Sequence, residues 1–97
     1  MHVLALQIEL RFPQSHSLKE KRMAMRPIVD GIRSRFHVSV AEVAHHDTWR
    51  RCELGIALVS GEVAVVEKAA DQVERFVWAA VDTEVVAIDR HWLDIES

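Results

Sequence analysis

Between Phe36 and Ser60 the chain reads FHVSVAEVAHHDTWRRCELGIALVS, two extended runs around a short polar break. The second run, Arg51 to Ser60, sets Cys52, Leu54, Ile56 and Leu58 against Glu53, Gly55, Ala57 and Val59. Side chains that change character at every second position belong to a strand with two unlike faces, because successive Cβ atoms point to opposite sides of a sheet. The first run, His37 to Ala44, is rich in valine and carries no helical stripe. Together they predict a hairpin with His45, His46, Asp47 and Thr48 at its turn, and the rest of the chain is expected to pack on it.

The flanking segments follow the same logic. From Val3 to Phe12, Leu4, Leu6, Ile8, Leu10 and Phe12 form a wholly apolar set that belongs on the core side of a strand. Pro13, which has no N–H for a ladder, ends it. Ser17-Leu18-Lys19-Glu20 is a capping box, in which the Ser17 hydroxyl accepts from the Glu20 amide and the Glu20 carboxylate reaches back to Ser17. It predicts a helix to about Phe36 with Leu18, Met25, Ile28, Val29, Ile32 and Phe36 as its apolar stripe. Pro27 removes one helical hydrogen bond and predicts a kink near Met23–Pro27. Ala24, Pro27 and Gly31 share a flank small enough for a close neighbour, either the second helix or another subunit. Ser60 is the expected N-cap of a second helix striped by Val66, Ala69, Ala70, Val73, Phe76, Val77 and Ala80. Glu84 to Ile95 reads as a last strand.

Strand, helix, strand, strand, helix, strand is the split βαβ, or ferredoxin-like, plan. The expected α+β domain spans residues 1–97. Right-handed crossovers place both helices on one face of a four-stranded antiparallel sheet of order 4-1-3-2. The other face would carry Val3, Ala5, Gln7, Glu9, Trp49, Arg51, Glu53, Gly55, Ala57 and Val59. An open face that is apolar at one end calls for a cover, and a homo-oligomer burying part of it is expected.

Composition narrows the function classes. In 97 residues, 49% hydrophobic and 28% charged, there is room for one ordinary core. The single cysteine, Cys52, has no internal disulfide partner and suits a small buried position, so a reducing cytoplasm is the expected compartment. The start, MHVLALQIEL, has no basic leader, and no apolar run reaches the roughly 20 residues of a membrane span. Net charge is −3 but unevenly placed: residues 1–51 hold nine basic and five acidic residues, +4, and residues 52–97 hold three and ten, −7. Such a split marks either an interaction surface or two halves that attract each other.

Most activities hosted by this fold lack their residues here. The loop Phe12-Pro13-Gln14-Ser15-His16 has no glycine for a phosphate cradle. One cysteine cannot make a paired-cysteine metal loop. The strand positions that would stack RNA bases hold Gln7, Glu9, Glu53 and Gly55. His45 and Asp47 are too few for a structural zinc site, and no nucleophile accompanies them. A non-enzymatic protein without cofactor is expected. The basic residues carry the functional reading. Lys19, Arg22, Arg26 and Arg33 fall along one side of the first helix, with Lys21, Arg50 and Arg51 as additions and Trp49 as the accompanying aromatic. Basic helices of this kind position a protein on phosphates without reading sequence. Asp30, four residues after Arg26 and three before Arg33, offers local ion pairs instead.

SLKEKR at Ser17–Arg22, FHVSVAEV at Phe36–Val43, the spaced set His45, Asp47, Trp49 and Arg51, and LGIALVS at Leu54–Ser60 together resemble the YlxP-like family of small bacterial proteins, a domain of unknown function. The resemblance implies a ferredoxin-like fold. It also implies a gene setting beside ribosome-maturation and translation-initiation factors, hence a role with ribosomal RNA or a ribosomal particle. The alternative expectation is a small homo-oligomeric regulatory or protein-interaction module without nucleic acid.

Overall fold

The computed structural model describes residues 1–96. Its elements run β1 (His2–Arg11), α1 (Leu18–Phe36), β2 (Ser39–Ala44), β3 (Arg51–Ser60), α2 (Val63–Trp78) and β4 (Glu84–Asp94). The strands form one antiparallel sheet in the order β2-β3-β1-β4, the expected 4-1-3-2 read from the other edge.

The alternation in β1 and β3 sorts their faces as expected. Leu4, Leu6, Ile8, Leu10 and Phe12 are buried, and across the ladder so are Cys52, Leu54, Ile56 and Leu58. Ile28 and Ile32 of α1 and Val66, Ala70, Val73 and Val77 of α2 close the core from one side. Each fully buried aliphatic side chain is worth about 1.5–3 kcal/mol over an exposed one, so this shared layer is what holds the helices to the sheet. Gly31 is where the helices meet: a Cβ built on it would fall 2.3 Å from Cζ of Phe76. The small flank of α1 therefore serves the second helix at this point.

Several boundaries differ from expectation for local reasons. The Ser17 hydroxyl accepts from the Glu20 amide at 3.1 Å, but the Glu20 carboxylate takes the amide of His16, at 2.5 Å, and not that of Ser17. α1 runs unbroken across Pro27; the bend expected there does not split it. Pro27 and Met23 are exposed, so water has access to the side of the helix where a carbonyl has lost its donor. His37 is not the first residue of β2 but a left-handed cap on α1, with φ 52°. Ser60 is not the N-cap of α2. Its hydroxyl accepts from the Glu62 amide, and Glu62 occupies the cap without a side-chain bond. Trp49 lies before β3, in the turn, and not on the open sheet face. A left-handed His45, φ 64°, and the register shift between Glu42 and Ala44 end the alternation there.

Candidate functional site

Lys21 determines the geometry of the expected basic surface, and it does so from inside the protein. Leu18, Lys21, Met25, Ile28 and Ile32 follow one another at helical spacings of three and four, which puts Lys21 on the core side of α1. Its side chain is 1% exposed. The ammonium donates to Glu42 Oε2 at 3.0 Å, to the carbonyl of His45 at 2.8 Å, to that of Arg51 at 3.1 Å, and reaches that of His46 at 3.5 Å. A buried ammonium needs both a counter-charge and acceptors, and this one has them. Lys21 is thus a tie between the first turns of α1 and the β2–β3 turn. It is not a phosphate contact, which corrects the expectation.

The tie brings together residues that are distant in sequence. The Arg50 guanidinium donates to the Ser15 carbonyl at 3.1 Å and lies 3.4 Å from Nδ1 of His16, so the hairpin tip rests against the loop that enters α1. Trp49 is 52% exposed and lines one surface depression with Asp47, Thr48 and Arg50. Lys19, Arg22 and Arg26 are exposed, and among the described residues none forms an ion pair. Arg22 and Arg26, one turn apart, line a second depression with Met25, Val29 and Asp30. Lys19 and Arg22 thus lie on the first turns of α1, next to the loop that Arg50 and the hairpin tip rest on, and Arg26 continues their side toward the middle of the helix.

The other expected contacts are engaged elsewhere. Arg33 donates to the Val40 carbonyl at 3.1 Å and lies 3.7 Å from Asp30. Arg51 forms a hydrogen-bonded ion pair with Glu9 on the open sheet face. The acids Asp71 and Glu74 of α2 pair with Arg90 of β4, both at 2.7 Å, and not with the cations of α1. The Arg51 bond holds the Glu9 carboxyl below the usual carboxylate range, against a smaller opposing effect of burial. A depressed folded pKa gives stability that is present above the ordinary carboxylate pKa and lost as pH falls through the folded value. Arg51→Ala is expected to move the Glu9 titration upward, read from its side-chain carboxyl resonance; an unmoved titration would remove Arg51 as the cause.

Cys52 packs with its Sγ 3.2 Å from Sδ of Met25, and burial pushes its thiol up to about 12. Only the thiolate attacks a disulfide. The native protein is therefore expected to leave an aromatic disulfide reagent unreacted at pH 8 and to react fully in denaturant; rapid native reaction would place the thiol at the surface. Among the described residues no three His, Cys, Asp or Glu side chains converge as a metal site.

A four-stranded antiparallel sheet with two helices on one face defines a ferredoxin-like α+β domain. Two designed proteins share that architecture. One, described as having a ferredoxin fold, aligns over 100% of this chain and 90% of its own, with a TM-score of 0.56 at 10% identity. The other, Foldit4, covers 97% of this chain and 99% of its own, with a TM-score of 0.54 at 11% identity. The chain belongs to the family described as protein of unknown function (DUF503), whose model matches residues 3–90. It is 34% identical over 76 residues to the uncharacterized protein YlxP of Bacillus subtilis (strain 168), covering 78% of this chain and 83% of that protein. No helix among the described residues is long and apolar enough to cross a membrane.

Proposed function

We propose that this protein is a non-enzymatic factor that holds the phosphate backbone of RNA, with ribosomal RNA or a ribosomal particle as partner. One observation carries the reading: the buried Lys21 tie sets the hairpin tip, with Trp49 and Arg50, beside the first turns of α1, with Lys19 and Arg22 and with Arg26 one turn further along. Guanidinium and ammonium groups on a helix fix position along a backbone. A half-exposed indole beside an arginine adds a stacking surface for an unpaired base. The site needs no cofactor. The net charge of −3 is spread away from this surface: Asp71 and Glu74 of α2 are held by Arg90 at another edge.

The test is co-sedimentation with ribosomal particles, with Lys19, Arg22 and Arg26 changed together to Glu. Lys21 and Arg50 are left in place because their loss would act through the contacts that hold the hairpin tip. Binding is expected to disappear while the circular dichroism is unchanged. The parent's affinity is expected to fall with salt at a log–log slope of about −2 to −3, as roughly three to four phosphate contacts on single-stranded RNA require. Unchanged sedimentation of the variant would overturn the proposal.

A second reading, a self-associating module without nucleic acid, is favoured by the open sheet face. Its polar end is internally paired, Glu9 with Arg51 and Gln7 with His91, the latter at 2.6 Å. Its other end exposes Val59 and Leu93. Association through that face would be insensitive to salt or strengthened by it.

A further inference from the structure

The two edges of the sheet are treated differently. In antiparallel strands, residues alternate between those whose backbone bonds one neighbour and those whose backbone faces the other way. Phe12 donates to the Arg50 carbonyl, which sets the even residues of β3 toward β1 and the odd ones toward β2. In β2, Ser39 and Ala41 then face β3, while Val40 and Glu42 point outward. Both outward carbonyls are occupied. Arg33 donates to that of Val40 at 3.1 Å and the His46 ring donates to that of Glu42, also at 3.1 Å. β2 is also only 6 residues long and ends in a register shift. Each of these features blunts an edge against another strand.

β4 is less guarded: its register shift lies near its start, opposite Glu9 and Leu10, and leaves Ala87 to Asp94 in regular register. It is 11 residues long. Met1 and Ile95 exchange both backbone bonds, so Leu93, His91 and Asp89 face β1, and Trp92, Arg90 and Ile88 point outward. No side chain of the described residues reaches those outward groups. The flank is apolar as well: Trp92 is 40% exposed, and Trp78, one turn beyond Glu74 on the same side of α2, is 62% exposed. The charge between them is already balanced, with Arg90 held by Asp71 and Glu74.

We infer that β4 pairs antiparallel with β4 of a second copy, joining two sheets into one of eight strands around a two-fold axis at Arg90. This is independent of the RNA reading and uses a different surface. Of the registers centred on Asp89, Arg90 or His91, side-chain pairing favours the middle one. Centred on Arg90, it sets Asp89 opposite His91 of the second copy and Ile88 opposite its Trp92, twice each; Arg90 falls opposite itself, but each guanidinium is already neutralised by Asp71 and Glu74 of its own chain. Centred on Asp89, it would set Asp89 against itself; centred on His91, it would set Asp89 against Leu93. Opposed charges and aromatic–β-branched pairs are the favourable cross-strand partners, and like charges the unfavourable ones. A two-fold axis is also what keeps such an edge from propagating into a filament.

Sedimentation equilibrium of the full chain at micromolar concentration tests this. The parent is expected at twice the chain mass. His91→Asp, which sets two carboxylates opposite each other on each side of the axis, is expected to weaken dimerisation by about tenfold or more. Trp92→Lys, a natural edge-guarding residue, is expected to give a monomer with unchanged circular dichroism. The double variant Asp89→Lys with His91→Asp restores opposite charges and is expected to restore the dimer. A monomeric parent overturns the inference. So does a dimer that survives His91→Asp and Trp92→Lys but dissociates on Val59→Glu, which would place the contact on the open sheet face.

Discussion

Replacing Lys21 by alanine is expected to remove about 3–5 kcal/mol of stability, the usual cost of deleting one partner of a buried ion pair. A domain of this size has only about 5–15 kcal/mol in total. The deletion leaves Glu42, whose side chain is 15% exposed, without its cation, and three carbonyls of the hairpin tip without their donor. Those carbonyls belong to a turn with a left-handed residue at His45 and a single internal bond, from the Thr48 amide to the His45 carbonyl at 3.1 Å. The turn therefore has little to hold it once the ammonium is gone. Urea unfolding should show a much lower midpoint, and hydrogen exchange should rise first from His45 to Arg51. The double variant Lys21→Met with Glu42→Leu removes both charges and is expected to recover much of the loss, since an apolar pair of similar volume avoids the desolvation of both ions. A loss below about 1 kcal/mol, the range of exposed pairs, would mean that the ammonium is hydrated and that the tie is not what shapes the RNA surface.

Gly31→Ala is expected to destabilise although alanine is the better helix former. The substitution gains up to about 1 kcal/mol of helix propensity. The new methyl, however, would lie 2.3 Å from Cζ of Phe76 and 3.0 Å from Cε1. Moving the ring aside gives up its contacts: Phe36 meets it edge-on at 6.0 Å between centroids, and the Arg35 guanidinium sits 4.9 Å from its centre. Overpacking of this kind typically costs 1–3 kcal/mol, so the net loss is about 1–2 kcal/mol. The sign should reverse in a Phe76→Leu background, where Gly31→Ala becomes stabilising by up to about 1 kcal/mol. Thermal unfolding of the four proteins decides it. A Gly31→Ala variant at least as stable as its parent would show that the two helices are not locked at this crossing.

What was legible in the sequence is what burial writes locally. The alternation of β1 and β3 reported their core faces because a strand buried on one side must repeat every two residues. The stripes of both helices did so with their own period. The residues that were misplaced are those whose environment comes from elsewhere. The charge of Lys21 points to the surface, whereas its spacing from Leu18, Met25 and Ile28 sets it on the buried stripe. Its acceptors lie more than twenty residues away, and no local pattern announces them. Trp49 was extrapolated onto the sheet through a turn whose left-handed His45 and register shift break the alternation. The partners of Arg51 and Arg90, 42 and 16 residues away, likewise appear only when the strands are assembled. Of the expected basic surface, Lys19, Arg22 and Arg26 stay exposed and, among the described residues, unpaired along α1, Arg50 is exposed but bonded to the Ser15 carbonyl, and Lys21, Arg33 and Arg51 hold the scaffold together.

β1 lies between β3 and β4, so the strand nearest the start of this chain is completed only by the strand nearest its end, with His2 and Asp94 in contact at 2.6 Å across 92 positions. Closing so long a loop comes before its reward, which slows assembly of the sheet. During synthesis one backbone edge of β1 stays unpaired until β4 emerges, although β3 and both helices precede it in the chain. Folding rates should therefore respond more to changes at the β1–β4 seam than to changes of equal equilibrium effect in either helix.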